Sequence, residues 1–187
     1  MRILGIDTGL ADTGYGIIDA REGVCHVVEG GVITTAPDED LTVRLQRIHE
    51  ATIAIIDEFD VDRVVVEDLY AEYPHPRTAI MMGHARGVVM LAAGQRAVTV
   101  ESYPASLVKK SLTGNGRASK EQVRRMVMQT LKLADAPGPD HVSDALALAL
   151  CHAAPARRSP MARGRRRAGD LPPAVAEAIA KARGDEA

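Results

Sequence analysis

The sequence predicts an α/β fold: a five-stranded mixed sheet, three antiparallel strands and then parallel ones, with helices on both faces. Three stretches carry that expectation. Residues 1–18, MRILGIDTGLADTGYGII, place Ile3, Leu4 and Ile6 in a short apolar run. A glycine-bearing turn follows, then Tyr15, Ile17 and Ile18, so the stretch reads as a hairpin. Between 41 and 59, Leu41, Leu45, Ile48, Thr52, Ile55, Ile56 and Phe59 recur at the spacing of an amphipathic helix. DRVVVE (62–67) is a valine run flanked by charge, the pattern of a buried strand. Strand, helix and strand in that order make a parallel crossover.

Taken in order, the first two strands are expected at about 2–7 and 14–19, and a third at 25–34, CHVVEGGVIT, with a glycine bulge. The helix over 41–59 and the strand over 62–67 come next. Residues 68–78, DLYAEYPHPRT, read as a loop, because Pro74 and Pro76 oppose a helix. A helix over 78–93 carries Gly83 and Gly87 four apart, a spacing that lets a neighbour approach closely. A fifth strand follows at 97–102. Pro104 opens a short helix ending at Thr113, GNGRAS (114–119) is a glycine loop, and Ser119 with Gln122 forms a capping box for the next helix. ADAPGP (134–139) breaks the chain before a last apolar helix from Asp140 to about 154.

The 187 residues, 46% apolar and 26% charged, suit one well-buried soluble domain, and no run is long enough to span a membrane. The N-terminus goes straight into a strand and lacks the pattern of a signal peptide. Cys25 and Cys151 lie far apart in apolar segments and read as reduced core cysteines of a cytoplasmic protein. The net charge of −2 hides an asymmetry. Residues 156–187 carry a net +4, with six arginines between 157 and 169, while the preceding body carries −6. The division expected is a domain over 1–155 and a basic, disordered tail over 156–187. An acidic body that binds a polyanion must use local basic patches and metal ions.

Asp7 interrupts an apolar strand at its end. It either caps the turn or points from the central strand at an open edge, where a carboxylate wants a cation. Glu67 closes the fourth strand, which this topology pairs with the first. His141 and Asp144, three apart at the start of the last helix, share one face with Cβ atoms roughly 5–6 Å apart. Each has a plainer reading. Asp144 suits the first turn of a helix through the macrodipole, Glu67 is an ordinary strand-end acid, and a lone His141 is ordinary surface. Together, at the ends of elements that one sheet gathers, they form an oxygen-rich set suited to Mg²⁺ or Mn²⁺ rather than zinc.

Here the chain resembles the RuvC family of bacterial crossover junction endodeoxyribonucleases, the Holliday junction resolvases, over roughly 1–155. The matching stretches are GIDTGLADTGYGII (5–18), VVVEDLY (64–70), GHARGVV (83–89), VKKSLTGNGRASKEQV (108–123) and DHVSDALALAL (140–150). The resemblance implies a ribonuclease H-like fold, a homodimer, four-way junction DNA as substrate, a branch-migration helicase complex as partner, and a role in recombination and repair. Carried over by position, the catalytic and metal-binding residues fall on Asp7, Glu67, His141 and Asp144. His141 stands where the family commonly has Asp. Tyr70, Lys109 and Lys120 fall on DNA-contacting positions.

The activity implied is two-metal hydrolysis of a phosphodiester, with ions about 3.5–4 Å apart, leaving a 5′-phosphate and a 3′-hydroxyl. Mn²⁺ is favoured over Mg²⁺ because imidazole replaces a carboxylate. Actin-like ATPases and sugar kinases also open on DxG and a glycine turn, but need a duplicated domain and a longer chain. A binding-only junction protein, and a related nuclease acting on RNA or RNA–DNA hybrid, are the remaining alternatives.

Overall fold

A computed structural model describes residues 1–69 and 76–154. Its strands are β1 (Arg2–Asp7), β2 (Asp12–Arg21), β3 (Val24–Thr34), β4 (Arg63–Glu67) and β5 (Thr99–Tyr103). Its helices are α1 (Leu41–Glu58), α2 (Pro76–Gln95), α3 (Ala105–Thr113), α4 (Lys120–Leu131) and α5 (Asp140–Ala153). The sheet order is β3-β2-β1-β4-β5, with β1–β2 and β2–β3 antiparallel and β1–β4 and β4–β5 parallel. This is the expected mixed sheet, with β1 at its centre.

Strand alternation divides the core into two layers. Leu4, Ile6, Val64 and Val66 face α1 and α2, where they pack with Ile48, Ile55, Ile56, Ala85 and Val89. Ile3 and Val65 face the opposite way, against α5, with Val123, Val127 and Leu131 of α4 in the same cluster. Nine residues of α5, Val142, Ser143 and Ala145 to Cys151, are buried, because this helix lies between the sheet and the α3–α4 pair. Such an enclosed helix is apolar nearly all round.

Several local expectations need correction. Strands β2 and β3 run longer than predicted because Glu22 and Gly23, both at positive φ (51° and 83°), form a two-residue hairpin turn. The bulge in β3 is not at its glycines. The register shifts between Ile17–Glu29 and Ile18–Val27, leaving Val28 as the extra residue, while Gly30 and Gly31 pair regularly with Gly16 and Tyr15. Helix α2 begins at Pro76 itself, since a proline in a first helical turn removes no needed N–H. Gly83 and Gly87 face open space, with nothing among the described residues within 4 Å of an added Cβ. No neighbour among the described residues uses their spacing. Cys151 is buried and Cys25 only partly so. The capping box of Ser119 and Gln122 is present in full.

Candidate active site

The site exists because α5 lies almost on the backbone of the sheet. A Cβ on Gly5 would overlap the carbonyl oxygen of Ala145, and one on Gly14 would overlap the main chain of His141. Gly14 is thus a strand residue, required by close helix approach and not by a turn. By alternation, Ile3, Gly5 and Asp7 share the sheet face that α5 covers, and Val65 and Glu67 share it on the neighbouring strand. The parallel register runs to Ile6–Val66, so Asp7 and Glu67 both stand one residue beyond it. The first turns of α5 then bring His141 and Asp144 over the same strand ends.

The result is a cavity of about 340 Å³ lined by Asp7, Glu67, His141 and Asp144, with Lys109 from α3 and Lys120 from α4 on its wall. His141 Nδ1 donates to Asp7 Oδ2 at 2.9 Å, and Lys120 Nζ donates to Asp144 Oδ2 at 3.1 Å. Asp7 is mostly buried, its side chain 23% exposed. Burial pushes its carboxyl above the usual range; the His141 hydrogen bond opposes that, and the Asp144 charge adds to it. Glu67 is raised too, first by burial and then by Asp7 and Asp144, with Lys109 and Lys120 pulling the other way. The bond to Asp144 raises Lys120. These carboxylates repel one another in a half-desolvated place, which leaves them in want of positive charge.

The donor set fits hard divalent ions: three carboxylates on one cavity, two of them held up by burial. With Nδ1 turned to Asp7, Nε2 is the ring nitrogen of His141 left to face a ligand. In this arrangement Lys120 and His141 supply the compensating contacts. Among the described residues no three His, Cys, Asp or Glu side chains close into a group able to hold an ion.

Lys109 and Lys120 reach the cavity from α3 and the start of α4, whereas Tyr70 lies outside the described residues. Thr8, Leu69 and Met82 also line it and were not foreseen. Thr8 and Leu69 adjoin motif residues, but apolar lining such as Met82 leaves no chemical mark in a sequence. Among the described residues, no helix is long and apolar enough to cross a membrane.

A mixed sheet of this order, with carboxylates at the ends of two central strands and another on the helix laid across them, defines a ribonuclease H-like nuclease. Residues 3–152 match the profile of the family described as crossover junction endodeoxyribonuclease RuvC. The crossover junction endodeoxyribonuclease RuvC of Rhodopirellula baltica is 46% identical over 151 residues, 80% of this chain and 84% of that protein. The RuvC structure from Thermus thermophilus aligns with a TM-score of 0.78 at 36% identity, covering 84% of this chain and 96% of that one. The same protein in complex with a Holliday junction substrate aligns at 0.79 and 37%, covering 84% and 95%. The chain belongs to the RuvC family. Dependence on a divalent metal ion comes with that membership.

Proposed function

We propose that this protein resolves four-way DNA junctions by paired, symmetric nicking, with Asp7, Glu67, His141 and Asp144 as its metal-binding and catalytic residues. The observation that carries the reading is the convergence of those four side chains, from three separate elements, on one cavity. Divalent ions bound there supply a water of lowered pKa and neutralise charge at the phosphate. The chain's own residues do the rest. Asp7, on the rigid central strand, orients the site, and Glu67 and Asp144 flank it. Lys120, released from Asp144, is free to meet charge developing on the phosphate, and Lys109 stands beside Glu67 for the same strand. His141 offers Nε2 and favours Mn²⁺ over Mg²⁺, because Mg²⁺ pairs poorly with imidazole. Tyr70 stacks on an unpaired base.

Two symmetric nicks need two sites, and a two-fold dimer supplies them. The surface proposed for a second copy is the outer face of α2. There Ile80 (56% exposed), Leu91 (54%) and Met90 (38%) surround the open positions Gly83 and Gly87. Residues 156–187 lie beyond the family match and are proposed as a DNA-attracting appendage. A branch-migration helicase complex is the partner that the family reading adds.

The test compares cleavage of a mobile four-way junction, linear duplex and RNA–DNA hybrid with added Mn²⁺, for the parent and for Asp7→Asn. The parent is expected to cut the junction at paired positions. The variant should bind it with little loss yet leave it intact. Cleavage of the hybrid in preference to the junction overturns the proposal in favour of a ribonuclease.

A further inference from the structure

Arg86, on α2 at the flank of its buried face, takes no part in the site as described. Its guanidinium nevertheless converges on the strand end that carries Glu67. Nε donates to the main-chain carbonyl of Glu67 at 3.1 Å, and Nη2 donates to Ser102 Oγ on β5 at 2.7 Å. Nη2 also stands 3.7 Å from Asp68 Oδ1, and Nη1 lies 3.2 Å from Met90 Sδ on its own helix. The side chain is 20% exposed, so these contacts are made largely out of water.

The need for such a group is visible in the sheet. Pairing of β4 with β1 ends at Val66, one residue before Glu67. On the other side the ladder goes slightly further, with Glu67 beside Tyr103 and the Asp68 amide donating to the Tyr103 carbonyl at 3.0 Å. Glu67 thus sits where the sheet's own bonds run out, with its carboxylate directed into the cavity against the repulsion of Asp7 and Asp144. A half-buried carbonyl there needs a donor. The planar arginine fork reaches carbonyl, hydroxyl and carboxylate from one side chain, each from a fixed direction.

We infer that Arg86 is a positioning residue that fixes the backbone of Glu67, and so aims the Glu67 carboxylate at the metal site, by tying the ends of β4 and β5 to α2. The inference rests on the proposed function and deepens it. Arg86 is bonded to the main chain of Glu67 and not to its carboxylate; the cations acting on that carboxylate are Lys109 and Lys120. Its effect is therefore geometric. A displacement of an ångström at a catalytic group costs on the order of 100-fold in rate, and loosening a backbone tether is a smaller disturbance of the same kind.

The test uses the full chain and the variants Arg86→Lys, Arg86→Gln, Glu67→Gln and the double variant Arg86→Gln with Glu67→Gln. Three quantities are read: junction affinity without metal, the rise in melting temperature on adding Mn²⁺ alone, and the single-turnover cleavage rate at saturating Mn²⁺. Arg86→Gln should leave affinity within about two-fold, shrink the Mn²⁺-induced rise and slow cleavage by on the order of 10-fold. Arg86→Lys should fail to rescue, since an ammonium keeps the charge without the fork. In the Glu67→Gln background the same change should take nothing further from the Mn²⁺ effect, because the group it aims is gone. A variant that only melts lower, with its Mn²⁺ effect and cleavage rate intact, overturns the inference and leaves Arg86 a strut. Losses that add fully to those of Glu67→Gln overturn it too. A parent that cleaves no junction instead overturns the proposed function, and the inference with it.

Discussion

Asp7 and His141 are bonded to each other at 2.9 Å, so a change at His141 is felt at once by the carboxylate on the central strand. Replacing the imidazole by a carboxylate removes that donor and adds a carboxylate to a cavity where Asp7 is already raised by burial and by Asp144, and Glu67 by burial and by Asp7 and Asp144. Such a site holds a second hard cation more strongly and gains an oxygen in place of a nitrogen. His141→Asp should therefore raise Mg²⁺-supported cleavage relative to Mn²⁺-supported cleavage. Titrating both metals against a mobile junction measures the ratio, and an unchanged ratio would show that His141 does not govern metal choice. The acids themselves were legible from the residues: each stands where an apolar element ends, and one sheet topology gathers such ends. The contact between Asp7 and His141 was not legible, since 134 residues separate them and only the height of α5 above the sheet decides their distance.

That height is an element-scale property, held by glycines whose meaning is invisible until the helix is in place. Gly14 and Gly16 fall inside the expected second strand, where a pattern of residues gives no reason for a glycine. In the fold, Gly14 lies in β2 opposite Asp7, and Gly5 and Gly14 both sit under the main chain of α5. The strand and helix positions followed from periodicity, which is local. Which helix covers which face depends on contacts far apart in the chain, and periodicity is silent on that. The Val28 bulge escaped for the same reason, being a matter of register between strands. Gly5→Ala tests the close packing directly. Its added methyl meets the Ala145 carbonyl, and overpacking a tight core costs about 1–3 kcal/mol. The variant should melt lower, and its α5 must lift, carrying His141 and Asp144 away from Asp7 and cutting cleavage more than stability alone explains. Calorimetry alongside single-turnover cleavage below the melting range separates the two effects. Full activity in a destabilised variant would show that α5 has room to shift without moving the site.

At the scale of the whole molecule, an acidic body must meet DNA with what positive charge it can gather. The proposed tail brings six arginines within thirteen residues, and each phosphate neutralised steepens the fall of affinity with salt. Truncation after Pro155 should flatten that dependence without lowering the turnover of saturated junction; an unchanged slope would exclude the tail as a DNA contact. Symmetry poses the larger question, because a single cavity cuts one strand. Ile80, Met90 and Leu91 leave α2 with an apolar stripe on its outer side, while Ala85, Val89 and Ala93 on its inner side fill the core. Such a helix has two faces to bury, and among the described residues only one of them is covered. In the proposed dimer Gly83 and Gly87, which face open space among the described residues, would let a second α2 approach closely. Leu91→Glu, at an exposed position, should leave the fold intact and place a carboxylate in that interface. The variant should sediment as a monomer where the parent is a dimer. On a supercoiled plasmid with an extruded cruciform, the parent's coupled nicks yield linear product, whereas uncoupled nicks relax the plasmid and release the cruciform as a nicked circle. A variant that stays dimeric and linearises the plasmid would move the interface away from α2.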